Sequence, residues 1–130
     1  MLRSQTADSR PVSRAFELQG RQATETVLAT LGHHAVQWQM PPDLHFARGA
    51  LEPRLRWMAE AYGGYMVRMK GVFRTGPGPG LLLHSAQGRA LSVEDSGYRR
   101  DSRLEVVLRA APTKEFLDQW RALLRDAANP

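Results

Sequence analysis

The stretch Tyr65-Met66-Val67-Arg68-Met69-Lys70-Gly71-Val72-Phe73-Arg74-Thr75 decides how the rest of the chain is read. Its residues alternate. Tyr65, Val67, Met69, Gly71 and Phe73 fall on one side of an extended chain, and Met66, Arg68, Lys70, Val72 and Arg74 on the other. Period two is the mark of a strand with one buried face. Gly63-Gly64 just before it ends a helix. Gly76-Pro77-Gly78-Pro79-Gly80 just after it forces a turn.

Upstream, Leu51, Leu55, Met58 and Tyr62 recur at helical spacing and predict an amphipathic helix. Pro53 is then expected in the first turn of that helix, where a missing N–H does no harm. Before it, Val36, Trp38 and Met40 alternate with Ala35, Gln37 and Gln39, a half-buried strand from His34 that Pro41-Pro42 ends. Downstream, Leu81–Ala86 and Arg89–Glu94 read as two short strands broken at Gln87-Gly88. A polar loop, Asp95–Ser102, carries Arg99, Arg100 and Asp101. Leu104, Val106 and Leu108 make the last strand. Thr113 is placed to cap a final helix whose buried face is Phe116, Trp120, Leu123 and Ala127, joined by Leu117 and Leu124.

The order from residue 33 onward is β-α-β-β-β-β-α. It predicts an α+β fold: a small mixed or mostly antiparallel sheet of four to five strands, with the helices packed on one face. The β-α-β start implies a right-handed crossover joining two parallel strands. Residues 33–130 form the domain, and residues 1–32 an N-terminal tail. In that tail 1–14 are expected to be disordered. A weak helix is expected over 15–31, with Phe16, Ala23, Val27, Leu28 and Leu31 near one face and Gly32 stopping it.

The chain has 130 residues, 14.6 kDa, which suits one domain. With no cysteine, disulfides, cysteine nucleophiles and cysteine-held metals are excluded. Eighteen basic residues, sixteen of them Arg, face thirteen acids, for a net +5. No apolar run reaches membrane-spanning length and the N-terminus has no secretory core, so a cytoplasmic protein without membrane contact is expected.

Little in the residues speaks for catalysis. No HxH, HxxxH or HExxH spacing is present. His33 and His34 are the one histidine pair, and on a strand they point to opposite faces, so they give at most a weak zinc or cobalt contact. Ser85 beside His84 lacks a nucleophile elbow. The glycine run at 76–80 lacks a phosphate-loop Lys and a following helix. The strongest constellation is basic: Arg68, Lys70 and Arg74 from one strand, with Arg103 and Arg109 on the last strand and Arg99 and Arg100 beside it. Three readings stand: a solvated face, a protein-partner face carried by Arg68, Lys70, Arg74 and Arg103, or a nucleic-acid face.

Residues 34–127 resemble the C-terminal domain of the CobW family of metal-handling GTPases. Ala35-Val36-Gln37-Trp38-Gln39 precedes a helix containing Leu51-Glu52-Pro53-Arg54-Leu55-Arg56-Trp57-Met58. Val67-Arg68-Met69-Lys70-Gly71-Val72-Phe73 is similar to the family's RxKG strand. Arg100-Asp101-Ser102-Arg103-Leu104-Glu105-Val106-Val107-Leu108 resembles its closing strand, with Leu108 where the family usually has glycine. This sequence does not contain the family's GTPase domain, with its phosphate loop and CxCC, so the resemblance implies an isolated C-terminal-like domain or one cut from a larger protein. His33-His34 stand where the family often has a His-rich linker. The resemblance implies a non-catalytic interaction or regulatory domain, without a cofactor of its own. It would serve metal delivery or cobalamin synthesis by contacting a protein partner, a CobW-type GTPase or a metalloenzyme target. A small basic nucleic-acid-binding protein is the alternative.

Overall fold

The computed structural model describes residues 10–129 apart from 31, 88 and 99. The expectations for positions 1–9, Leu31, Gly88 and Arg99 therefore lie outside the described residues. Strands and helices run β1 (Val12–Leu18), β2 (Arg21–Thr30), β3 (His33–Met40), β4 (His45–Phe46), α1 (Arg48–Ala61), β5 (Met66–Phe73), β6 (Gly80–Ala86), β7 (Ser92–Ser96), β8 (Ser102–Leu108), α2 (Lys114–Ala127) and β9 (Ala128–Asn129).

Seven strands form one sheet in the order β1-β2-β3-β8-β5-β6-β7, and every neighbouring pair is antiparallel. The α+β class holds. β3 and β5 do run in the same direction, as their joining helix requires, but they are not neighbours. β8 lies between them and bonds both. The expected parallel pair is thus a split β-α-β unit, with the last strand inserted into it.

The segment expected as a helix over 15–31 is the β1–β2 hairpin, which brings the sheet from the expected four or five strands to seven. Its turn is Gln19-Gly20, with both residues at positive φ (49° and 78°), which is the two-residue turn whose twist suits a hairpin. β2 is β-branched and alternates: Ala23, Glu25 and Val27 share a side with Trp38 and Val36 of β3, while Thr24 and Thr26 face the other way. A carboxylate on the core side hides that alternation in the sequence. Val12, Ser13 and Arg14, expected in a disordered start, belong to β1. β2 pairs with β3 from Thr24–Gln39 to Thr30–His33, so the sheet runs unbroken across position 32.

Both helices lie on one face. α1 buries Leu51, Leu55 and Met58, and α2 buries Phe116, Trp120, Leu123, Leu124 and Ala127. They meet Val36, Trp38, Met69, Phe73, Leu104 and Val106 of the sheet in one apolar cluster. Trp38 packs on Trp120 at 5.3 Å between ring centres, and Phe116 stands edge-on to Tyr62 and Tyr65. Thr113 caps α2, its hydroxyl accepting from the Phe116 N–H at 3.1 Å. Pro53 is the sixth residue of α1, past the turn of free N–H groups where it was expected. The short β4–β9 pair and the Ala47 N–H to Ala127 carbonyl bond (2.9 Å) tie the start of α1 to the end of α2.

β5 departs from strict alternation at one point. The register shifts between Met66 and Arg68, leaving Val67 as an extra residue, so Met66 is buried with Met69 instead of facing outward with Arg68. No helix among the described residues is long and apolar enough to cross a membrane.

Candidate functional site

With both helices on one side, the other face of the sheet has no covering layer among the described residues. Register places its side chains in rows. His84, Lys70, Glu105, Gln37 and Thr26 stand next to one another across β6, β5, β8, β3 and β2. The adjacent row is Leu82, Val72, Arg103, Gln39 and Thr24. Between them runs a groove of about 450 Å³, with Tyr98 reaching over it from the β7–β8 loop.

Asp101 organises one end of this groove. It is 7% exposed and accepts from the Arg103 Nε at 3.0 Å, the Tyr98 hydroxyl at 2.9 Å and the Gln39 amide at 3.0 Å. Burial alone would push its carboxyl up. The hydrogen bonds from Arg103, Tyr98 and Gln39, with the Arg103 charge, outweigh burial and hold it below the usual carboxylate range. The same bond to Asp101, then burial, pushes the Tyr98 phenol up. At the centre, the Gln37 amide donates to Glu105 at 2.8 Å. Lys70 lies in register with Glu105 yet has no hydrogen-bond or ion-pair partner among the described residues. An ammonium on an open floor, with the acid opposite it in register already held by an amide, is free to meet an anionic group.

Of the basic residues singled out in the sequence, Lys70 and Arg103 line the groove. Arg68 is exposed on the same face one pair further along, between Ala86 and Val107. Arg74 is placed elsewhere. It is half-buried past the end of β5, where its guanidinium donates to the Pro42 carbonyl at 2.5 Å and its backbone N–H to Ser102 Oγ at 2.9 Å. It fastens the turn after β3 to the end of β5. His33 and His34 are successive residues of β3, with sides facing apart, and among the described residues no group of three or more His, Cys, Asp or Glu is placed to hold a metal ion.

Reading the sequence did not single out Tyr98, Gln37, Gln39, Glu105, Thr24 or Thr26 for this site. The glutamines carried a signal, because they alternate with Val36, Trp38 and Met40 and so had to leave the core. The threonines carried none once β2 was read as a helix.

No protein-family model matches the sequence, and no curated protein matches it. Two solved structures share its fold: the Zn(II)-bound YjiA GTPase from E. coli and a zinc-bound triple mutant of that GTPase. Each is 14% identical over 71% of this chain, with a TM-score of 0.57. This chain spans 30% of the GTPase's length. The likeness is one of fold, and the fold is CobW-like.

Proposed function

We propose that this chain is a non-catalytic interaction domain of the CobW type, which binds an acidic segment of a protein partner along its uncovered sheet face. The observation that carries the reading is the groove floored by Lys70, a cation without a partner among the described residues, with Arg68 beside it and the Arg103–Asp101–Tyr98 network as a fixed wall. Charges so arranged act on encounter rate and specificity before they act on affinity. The fold likeness to a zinc-bound GTPase supports placing the partner in metal handling: a CobW-type GTPase or a metalloenzyme target, with cobalamin synthesis as one setting.

The test is capture of partner proteins from a nuclease-treated lysate by the wild type, by an Arg68→Glu/Lys70→Glu double variant and by Arg54→Glu. Arg54 lies on α1, on the opposite side of the molecule, and donates to the Ala50 carbonyl. The double variant is expected to lose capture at an unchanged melting temperature, and Arg54→Glu to keep it. Capture by the double variant removes this face from consideration. Binding that returns only when nuclease is left out favours a nucleic-acid ligand, whose affinity would fall steeply with salt.

A further inference from the structure

The two edges of the sheet are built differently. β7 is the short one, five residues that include Glu94 and Asp95, and such edges discourage pairing. β1 is seven residues long and in full register with β2, with no proline or bulge inside it. Its Val12 is 67% exposed, one of the two large apolar side chains exposed among the described residues.

The hairpin turn fixes which backbone groups of β1 face outward. A two-residue turn with both residues at positive φ closes on a hydrogen-bonded pair, here Leu18 and Arg21. Bonded and unbonded positions then alternate. Phe16, Arg14 and Val12 bond to β2, and the N–H and C=O groups of Ser13, Ala15 and Glu17 point away from the sheet.

We infer that β1 is an interface for a second copy of this chain, pairing antiparallel about a two-fold axis through Ala15. In that register Ser13 faces Glu17 of the other copy, Arg14 faces Phe16, and Val12 faces Leu18. Every residue of β1 is used and every outward backbone group finds a partner. A hydroxyl meets a carboxylate, and a guanidinium meets a ring, which attract. Centring on Arg14 instead sets two guanidinium groups against each other, and centring on Phe16 leaves Val12 and Ser13 outside the paired strands. Ala15 on the axis offers no bulk to hold the copies apart. The axis stands perpendicular to the sheet, so the product is one continuous sheet with all helices on one side and both grooves on the other.

Sedimentation equilibrium of the wild type and of Ala15→Pro tests this. The Ala15 N–H points outward, so proline there removes a donor to the second copy and none to β2. The wild type is expected to dimerise, and Ala15→Pro to raise the dimer dissociation constant about tenfold or more. Amide exchange of the wild type supplies a reading independent of the variant's folding. At low concentration Ser13, Ala15 and Glu17 exchange fast between protected Arg14 and Phe16, and at high concentration all five are protected. A wild type that stays monomeric, a dimer indifferent to Ala15→Pro when the variant is folded, or protection of the odd residues that ignores concentration each overturns the proposal.

Discussion

At the scale of single residues, the fold turns on a carboxylate that sequence patterning cannot see. Glu25 is 1% exposed on the helix side of β2. It accepts from the Trp38 indole at 2.8 Å and from Arg121 at 3.0 and 2.6 Å, so it stitches the hairpin to β3 and α2 together. Read as a polar residue it breaks the period-two pattern of β2, and with it the strand. Glu25→Ala strands the Trp38 N–H and leaves the Arg121 guanidinium, only 16% exposed, with Asp118 as its remaining partner, and is expected to cost about 1–3 kcal/mol in urea unfolding. A loss below about 1 kcal/mol would mean that water replaces the carboxylate at no cost.

Asp101 makes the residue scale depend on pH. Its folded carboxyl lies below its unfolded value, so its contribution is whole above the unfolded value and fades as pH falls through the folded one. Asp101→Asn should therefore be less stable than wild type at pH 7, by about 1–3 kcal/mol. That gap should close as pH drops below about 4, the ordinary aspartate range. Urea midpoints across that range check it. A gap that stays constant would assign the cost to shape and not to charge.

Among elements, legibility followed how plainly each carries its period. α2 was read with its cap and its buried face because an apolar stripe and a Thr N-cap are both local signals. β3, β6 and β8 were read because apolar residues hold most of their inward positions, whereas the strand expected over Arg89–Glu94 is β7 at Ser92–Ser96, where Asp95 joins Val93 on the inward side opposite Leu81 and Leu83. The bulge at Val67 was not, since an extra residue leaves no mark in composition, and neither was the insertion of β8 between β3 and β5, which is a long-range choice. The groove was half legible. Lys70 and Arg103 were named, but the strand that supplies Thr24 and Thr26 was taken for a helix, and Arg74 proved to serve a turn.

Gly71 shows why β5 and β8 can lie side by side beneath that groove. A Cβ at this position would sit 2.9 Å from the Arg103 carbonyl oxygen and 3.0 Å from a Leu104 methyl. Gly71→Ala must push the two central strands apart, and about 1–3 kcal/mol of destabilisation is expected from overpacking of this kind. Thermal unfolding beside Gly78→Ala, where a Cβ meets nothing within 4 Å, separates crowding from the general effect of removing a glycine.

For the whole molecule, the one-sided helix layer and the β1 edge, unpaired among the described residues, have a joint consequence. If two copies join through β1, their grooves share one surface, and a ligand that offers several acidic segments can engage both. The second contact then occurs at the effective concentration that the first imposes, which raises apparent affinity with no new contact in either groove. Ala15→Pro, three strands from Arg103 and four from Lys70 across the sheet, should leave binding of a single acidic peptide unchanged. It should weaken binding to a surface dense in the same peptide by about tenfold or more. Lys70→Glu should weaken both. Surface plasmon resonance at low and high peptide density measures the two cases on one chip. If Ala15→Pro lowered single-peptide affinity, the edge and the groove would be one site. If density made no difference to the wild type, the grooves would act singly whatever the oligomeric state.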